Sequence, residues 1–316
     1  MKPIPVAFHI GPLEVHTYGI GLAITFWFAY RYFEHRLRKF GYRTDWLIGL
    51  FLWVIVAAIV GARALHVLTH LGTYTSDPAG ILAIWHGGLS SFGGLLFAVP
   101  TGLVIAHRRC PELGLAHGLD LVAPVLMAAW AMGRLLGPQL MVDGGGHPSH
   151  QWFCMYYAGQ PGCRLPVPLF QALEDFAVFC VLILIEHRLN RWPDGTVRAG
   201  YPSGLVIGTA MVLWGVDRTL DEHLWLGEDG HLGSLLVQIA GIALAVGGVV
   251  VLLVAWRNWR AWLAAGAPGG HPATLTGGPR PEEADAPADA RAAAPAGDAP
   301  RHSDGEHIST APEPTP

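Results

Sequence analysis

Seven apolar runs, spaced along most of the chain and of a length to cross about 30 Å of hydrocarbon, leave few folds open to it. They extend from Tyr18 to Phe33, Trp46 to Leu68, Ile81 to Ala106, Leu119 to Leu140, Pro166 to Ile185, Ser203 to Leu220 and Leu232 to Trp256. A bilayer core offers backbone N–H and C=O groups no water, so a crossing run satisfies them internally, as a helix. The expected fold class is all-α: a polytopic membrane protein with seven transmembrane helices. Composition agrees, since 52% of the 316 residues are hydrophobic and only 14% charged, too apolar for a soluble chain of this length. The opening MKPIPVAFHIGPLEVHTYG interrupts its apolar residues with prolines and histidines. It lacks the continuous apolar core of a cleavable signal peptide, so the first run is expected to be a retained span.

Positive charge in the short connections sets orientation. Arg31, Arg36, Arg38, Lys39 and Arg43 follow the first run, Arg108 and Arg109 the third, Arg188, Arg191 and Arg198 the fifth, and Arg257 and Arg260 the seventh. The alternate connections are nearly free of Lys and Arg. The N-terminus is therefore expected outside and the C-terminus in the cytoplasm. The expected organisation is a membrane domain over residues 1–263, with an outer loop at 142–165, and a disordered Ala/Pro/acidic cytoplasmic tail over 264–316. Cys154 and Cys163 fall in that outer loop; on an oxidising side they form either a disulfide or two free thiols. The net charge of −4 says little about partners, but with no basic domain and no zinc spacing no nucleic-acid partner, metal or cofactor is expected. No internal repeat is evident, which argues against an inverted-repeat transporter.

Ionisable groups inside a membrane are costly and mark cavities or partners. In EVHTYG, Glu14, His16 and Tyr18 belong either to a headgroup-level belt or to a site. In VGARALHVL, Arg63 lies too deep to snorkel and is expected to meet an anion or an internal carboxylate. In GLDLVAPVLMAAWAMGRLLG, Asp120 suits a first helical turn. Arg134, beside Gly133, suits two-pronged binding of a phosphate. QALEDF adds Glu174 and Asp175; LWGVDRTLDEHLW adds Asp217, Arg218, Asp221 and Glu222, with Arg218 and Glu222 on one helical face. Three arginines and several carboxylates in the spans suggest a polar chamber in the outer leaflet that takes an anionic lipid headgroup.

A further stretch, IWHGGLSSFGGLLF from Ile84 to Phe97, holds Gly87, Gly88, Gly93 and Gly94 with His86 among them. Each interior glycine costs a helix roughly 1 kcal/mol. A bent, backbone-exposing start to the third span is expected, where a headgroup or peptide comes close to Gly93 and Gly94.

HTYG, GARALHVL, DP followed by IWHGGLSSFGGL, DLVAP followed by GRL, and the W-x3-R-x3-E array of the sixth run occur in one order from Gly11 to Trp256. In this the chain resembles the prolipoprotein diacylglyceryl transferases. The resemblance implies transfer of a diacylglyceryl group from phosphatidylglycerol to the lipobox cysteine thiol of a prolipoprotein signal peptide, by a multi-pass protein of the bacterial inner membrane. It implies a tyrosine role for Tyr18, with His16 before it, headgroup contact for Arg134, and the span-six arginine and glutamate roles for Arg218 and Glu222. The chain departs from the family's pattern at several places. Phe92 stands at the histidine proposed as base, His86 at an aspartate and Gly137 at an asparagine. Leu165, Val167, Pro168, Phe170 and Gln171 replace a polar set. His86, six residues before Phe92, is a candidate replacement base, and His16, His147 and His150 are others from the outer side. Three functions follow: a diacylglyceryl transferase, a catalytically silent paralogue that binds phospholipid or lipoprotein precursors, and a small transporter.

Overall fold

The computed structural model describes residues 6–10, 13–69, 71–74, 78–82, 90–137, 140, 144–189, 202–226 and 232–264. Its helices are α1 (Thr17–Lys39), α2 (Leu47–Thr69), the short α3 (Leu71–Tyr74), α4 (Ser91–Arg109), α5 (Leu115–Leu136), α6 (Val167–Leu189), α7 (Leu205–Asp221) and α8 (Leu232–Ala264). A long helix occupies part or all of every apolar run read from the sequence. The exception to an all-α architecture among the described residues is a hairpin of β1 (Val6–Ile10) and β2 (Leu13–His16). Four of the described helices are long and apolar enough to cross a membrane: Leu47–Leu68, Leu115–Leu136, Val167–Arg188 and Ser234–Ala261. The other long helices carry more charge or are shorter; α7 has 17 residues and includes Asp217, Arg218 and Asp221.

Outward faces are apolar, the reverse of a soluble protein. Trp27 is 66% exposed, Trp53 63% and Leu96 63%, a surface suited to lipid tails rather than water. The chain is a multi-pass membrane protein. Interiors are made by close helix pairs. Gly208 and Gly215 of α7 meet Gly248 and Gly241 of α8, so the two backbones approach without intervening side chains. Gly61 of α2 and Gly93 of α4 do the same, each placed where a Cβ would collide with the other's carbonyl oxygen. That approach lets the Ser90 N–H donate to the Ala62 carbonyl at 3.0 Å.

At the opposite end from the outer loop, a buried ion pair joins helices far apart in sequence. Arg36 of α1 donates to Glu186 of α6 at 2.7 Å and to the Leu121 carbonyl of α5 at 2.8 Å. Both charged side chains are 5% exposed. A buried pair is worth little over an apolar one, but removal of one partner strands the other, at about 3–5 kcal/mol. Glu186→Leu is therefore expected to lower the melting temperature in detergent, and Arg36→Leu with Glu186→Leu to recover most of the loss. An unchanged melting temperature for the single variant would show that the pair does not hold these helices.

The Cys110 thiol, in the connection after α4, is 1% exposed and is pushed up to about 12 by burial and by the nearby Glu112 carboxylate. It is therefore a packing residue rather than a nucleophile.

Candidate functional site

One sequence offset relates α5 to α7 along their lengths. Asp120, wholly buried near the start of α5, accepts the backbone N–H of Gly204 at 2.7 Å and of Ile207 at 2.8 Å. The first N–H groups of a helix have no partner within it. Gly204, at φ 97°, has no side chain to cap them, so a carboxylate from the neighbouring helix does so. Asp120 thus has a larger role than a favourable first turn of its own helix. Asp120 and Gly204 are 84 residues apart. The same offset relates Trp130 to Trp214, whose ring centroids are 5.1 Å apart, and Arg134 to Arg218, which line one cavity. Two parallel helices pinned at their starts bring two arginines to one level about 21 Å further along.

The cavity is a partly open cleft of about 180 Å³. Beside Arg134, α6 contributes Gln171, Glu174 and Asp175, and α7 contributes Trp214, Asp217, Arg218 and Asp221. Both sets follow helical spacing, so each is one face of its helix. Asp221, 2% exposed, accepts from Gln171 Nε2 at 2.7 Å and from Arg218 Nη1 at 3.1 Å. Glu222 begins the π-helical turn after α7 and accepts from Arg218 Nη2 at 3.3 Å. Arg134 lies in the field of Asp175 and Asp221. Two guanidinium forks in one enclosure can grip a phosphate through several oxygens, and the carboxyl groups beside them can take up or release a proton.

The loop between α5 and α6 is tied down over this end. A Cys154–Cys163 disulfide closes it, with Cα atoms 5.6 Å apart; of the two states open to these cysteines, the bonded one is found. The His147 N–H donates to the Trp225 carbonyl at 3.0 Å, which joins the loop to the turn that holds Glu222. Phe153, Phe170 and Trp225 continue the contact through their rings.

Of the residues singled out from the sequence, Arg134 and Arg218 meet at the cavity, with Glu222 on Arg218. Arg63 does not line it. Its guanidinium donates to the carbonyls of Gly80 and Ile81, at 2.5 and 2.9 Å, and lies 5.2 Å from the Tyr74 ring centre. There it secures the segment that follows α3. Gly93 and Gly94 are buried on α4 against α2. The expected backbone-exposing bend is thus not found at these two glycines: close helix packing accounts for Gly93. His16 ends β2, with its backbone in register with Val6, and Tyr18 sits in the first turn of α1; their side chains lie outside the described residues, as does His86 entirely. Glu174, Asp175, Asp217 and Asp221, expected from the sequence among the carboxylates of a polar chamber, do line this cavity. Gln171 and Trp214 join them without having been expected there, although the spacing 171, 174, 175 and 214, 217, 218, 221 is the signal that groups them.

Comparison with known proteins adds sequence relationships to this geometry. A family model described as prolipoprotein diacylglyceryl transferase matches residues 5–257. The phosphatidylglycerol–prolipoprotein diacylglyceryl transferase of Bacillus licheniformis is 38% identical over 198 residues, 58% of this chain and 70% of that protein. The enzyme of the same name from Bacillus velezensis is 33% identical over 199 residues, again 58% and 70%. That of Azotobacter vinelandii is 29% identical over 272 residues, 80% of this chain and 95% of the relative.

Proposed function

Because the chain belongs to the prolipoprotein diacylglyceryl transferase family, we propose that it transfers a diacylglyceryl group from phosphatidylglycerol to the lipobox cysteine thiol of a prolipoprotein. The relatives' names supply that donor and that class of acceptor. The observation that carries the reading to this chain is the convergence of Arg134 and Arg218 on one cavity between α5, α6 and α7. Transfer breaks the ester bond between a glyceryl carbon and phosphate, and the departing glycerol phosphate keeps the electron pair. Two guanidiniums already in place stabilise that charge without reorganising in the transition state. Glu222 and Asp221 hold the Arg218 fork in position.

In this reading the seven long helices all cross the bacterial inner membrane, with the N-terminus outside. The disulfide-closed loop between α5 and α6 supports placing that end on the oxidising side. Tyr18, His16 and His86, from the first and third apolar runs, belong to the same proposal as candidates at the outer face. A catalytically silent phospholipid-binding protein is the second reading, motivated by Phe92 at the position of the family's histidine.

The test uses purified protein in vesicles containing phosphatidylglycerol, with a signal peptide that carries a lipobox cysteine. A thioether-linked diacylglyceryl peptide, with release of glycerol phosphate, is expected. Saturable phosphatidylglycerol binding with no product would overturn transfer in favour of the silent reading. Solute uptake into the vesicles without either would leave only a transporter.

A further inference from the structure

A thiol of pKa about 8.5 is mostly protonated at neutral pH and attacks only as thiolate, so the proposed transfer needs a proton acceptor beside the two arginines. We propose that the Glu174 carboxylate is that acceptor, with its Oε2 facing the thiol. This rests on the transferase reading above and assigns a further catalytic group within it.

Hydrogen-bond accounting singles out Glu174. Five carboxyl groups, Glu174, Asp175, Asp217, Asp221 and Glu222, face two guanidiniums. Asp221 and Glu222 are engaged by Arg218, and Asp221 by Gln171 as well. Glu174 lines the same cavity. Among the carboxyl oxygens of the described residues, its Oε2 is the one that is buried with no hydrogen-bond partner. A buried carboxyl oxygen without a donor is costly to keep, and a donor arriving with the substrate would satisfy it.

The thiol S–H proton moves to Glu174 Oε2. The sulfur electron pair forms the C–S bond to the glyceryl carbon. The C–O bond to phosphate breaks, and its electrons leave on glycerol phosphate between Arg134 and Arg218. Release of the proton from Glu174 to water resets the site. The charged groups that face Glu174 are Arg134 from α5, Asp175 from α6, and Asp217, Arg218 and Asp221 from α7, with Glu222 just beyond.

The experiment follows transfer against pH for wild type, Glu174→Gln and Glu174→Asp, with phosphatidylglycerol binding measured on each. Wild type is expected to lose rate toward acid, as Glu174 is protonated and can no longer accept the thiol's proton. Glu174→Gln is expected to bind phosphatidylglycerol but to turn over about 10²- to 10⁴-fold more slowly. That deficit should narrow as pH rises toward the thiol's own ionisation, which a purely structural role would not produce. Glu174→Asp should recover part of the rate and the acid limb. An active wild type with a flat pH profile, or an active Glu174→Gln with an unchanged one, overturns the assignment and leaves the transferase reading intact. A wild type without transfer overturns both.

Discussion

Gly93→Leu is expected to yield no monodisperse protein in detergent, whereas Gly94→Ala is expected to fold and melt close to wild type. The two glycines are adjacent in α4 but face different parts of α2. A Cβ on Gly93 would collide with the carbonyl oxygen of Gly61 and come within 2.6 Å of the Leu65 Cβ. The obstacle is backbone, which cannot rotate aside. A Cβ on Gly94 would sit 3.4 Å from the Ala58 carbonyl oxygen and 3.7 Å from the Ala62 Cβ, ordinary contact distances. Overpacking by a methylene or two typically costs about 1–3 kcal/mol where side chains can shift. Here four carbons would have to separate two helices, with loss of the Ser90 to Ala62 hydrogen bond. The measurement is elution and thermal melting in detergent. A folded Gly93→Leu variant that only failed to bind phosphatidylglycerol would restore the view of Gly93 as a lipid-contact residue.

Arg134→Ala is expected to lower diacylglyceryl transfer by about 10²- to 10³-fold, the usual loss when one preorganised donor to a developing oxyanion is removed. Phosphatidylglycerol binding should weaken as well, because the same guanidinium meets the ground-state phosphate. Arg134→Lys should fall between, since an ammonium keeps the charge but not the two-pronged geometry. The fold should survive. Asp120 still caps α7, and Trp130 still packs on Trp214, so the α5–α7 register does not depend on Arg134. Transfer by Arg134→Ala at the wild-type rate, from a protein with unchanged melting, would remove Arg134 from the reaction and with it the main support for the proposed function.

Much of the fold was legible in the sequence because helix formation in a membrane is a local matter. Apolarity over some twenty residues and backbone self-satisfaction are properties of each segment alone, and a helix lies in every run where one was expected. Boundaries moved where polar residues extend a helix past its apolar part. α1 continues to Lys39 through Arg31, Glu34 and Arg36, because Arg36 gains Glu186 as partner. α4 begins later than the third apolar run suggests, at Ser91 rather than Ile81.

The site was half legible for a related reason. An arginine in an apolar run announces that it needs a partner, and Arg63, Arg134 and Arg218 all drew attention on that ground. Which partner each finds is a question of tertiary structure. Arg63 is taken by two backbone carbonyls of the segment after α3, while Arg134 and Arg218 are brought together by helix register.

By itself, then, the sequence determined that this is a multi-pass membrane protein, which family it belongs to, and which polar residues its spans must accommodate. Those properties are carried by composition and order along the chain. The tertiary structure decided that Asp120 caps α7, that this pins a constant offset of 84 residues, and that two arginines and Glu174 share one cavity. Such contacts link positions 50 to 150 residues apart, and nothing local encodes a distance of that kind: it follows only when the helices pack.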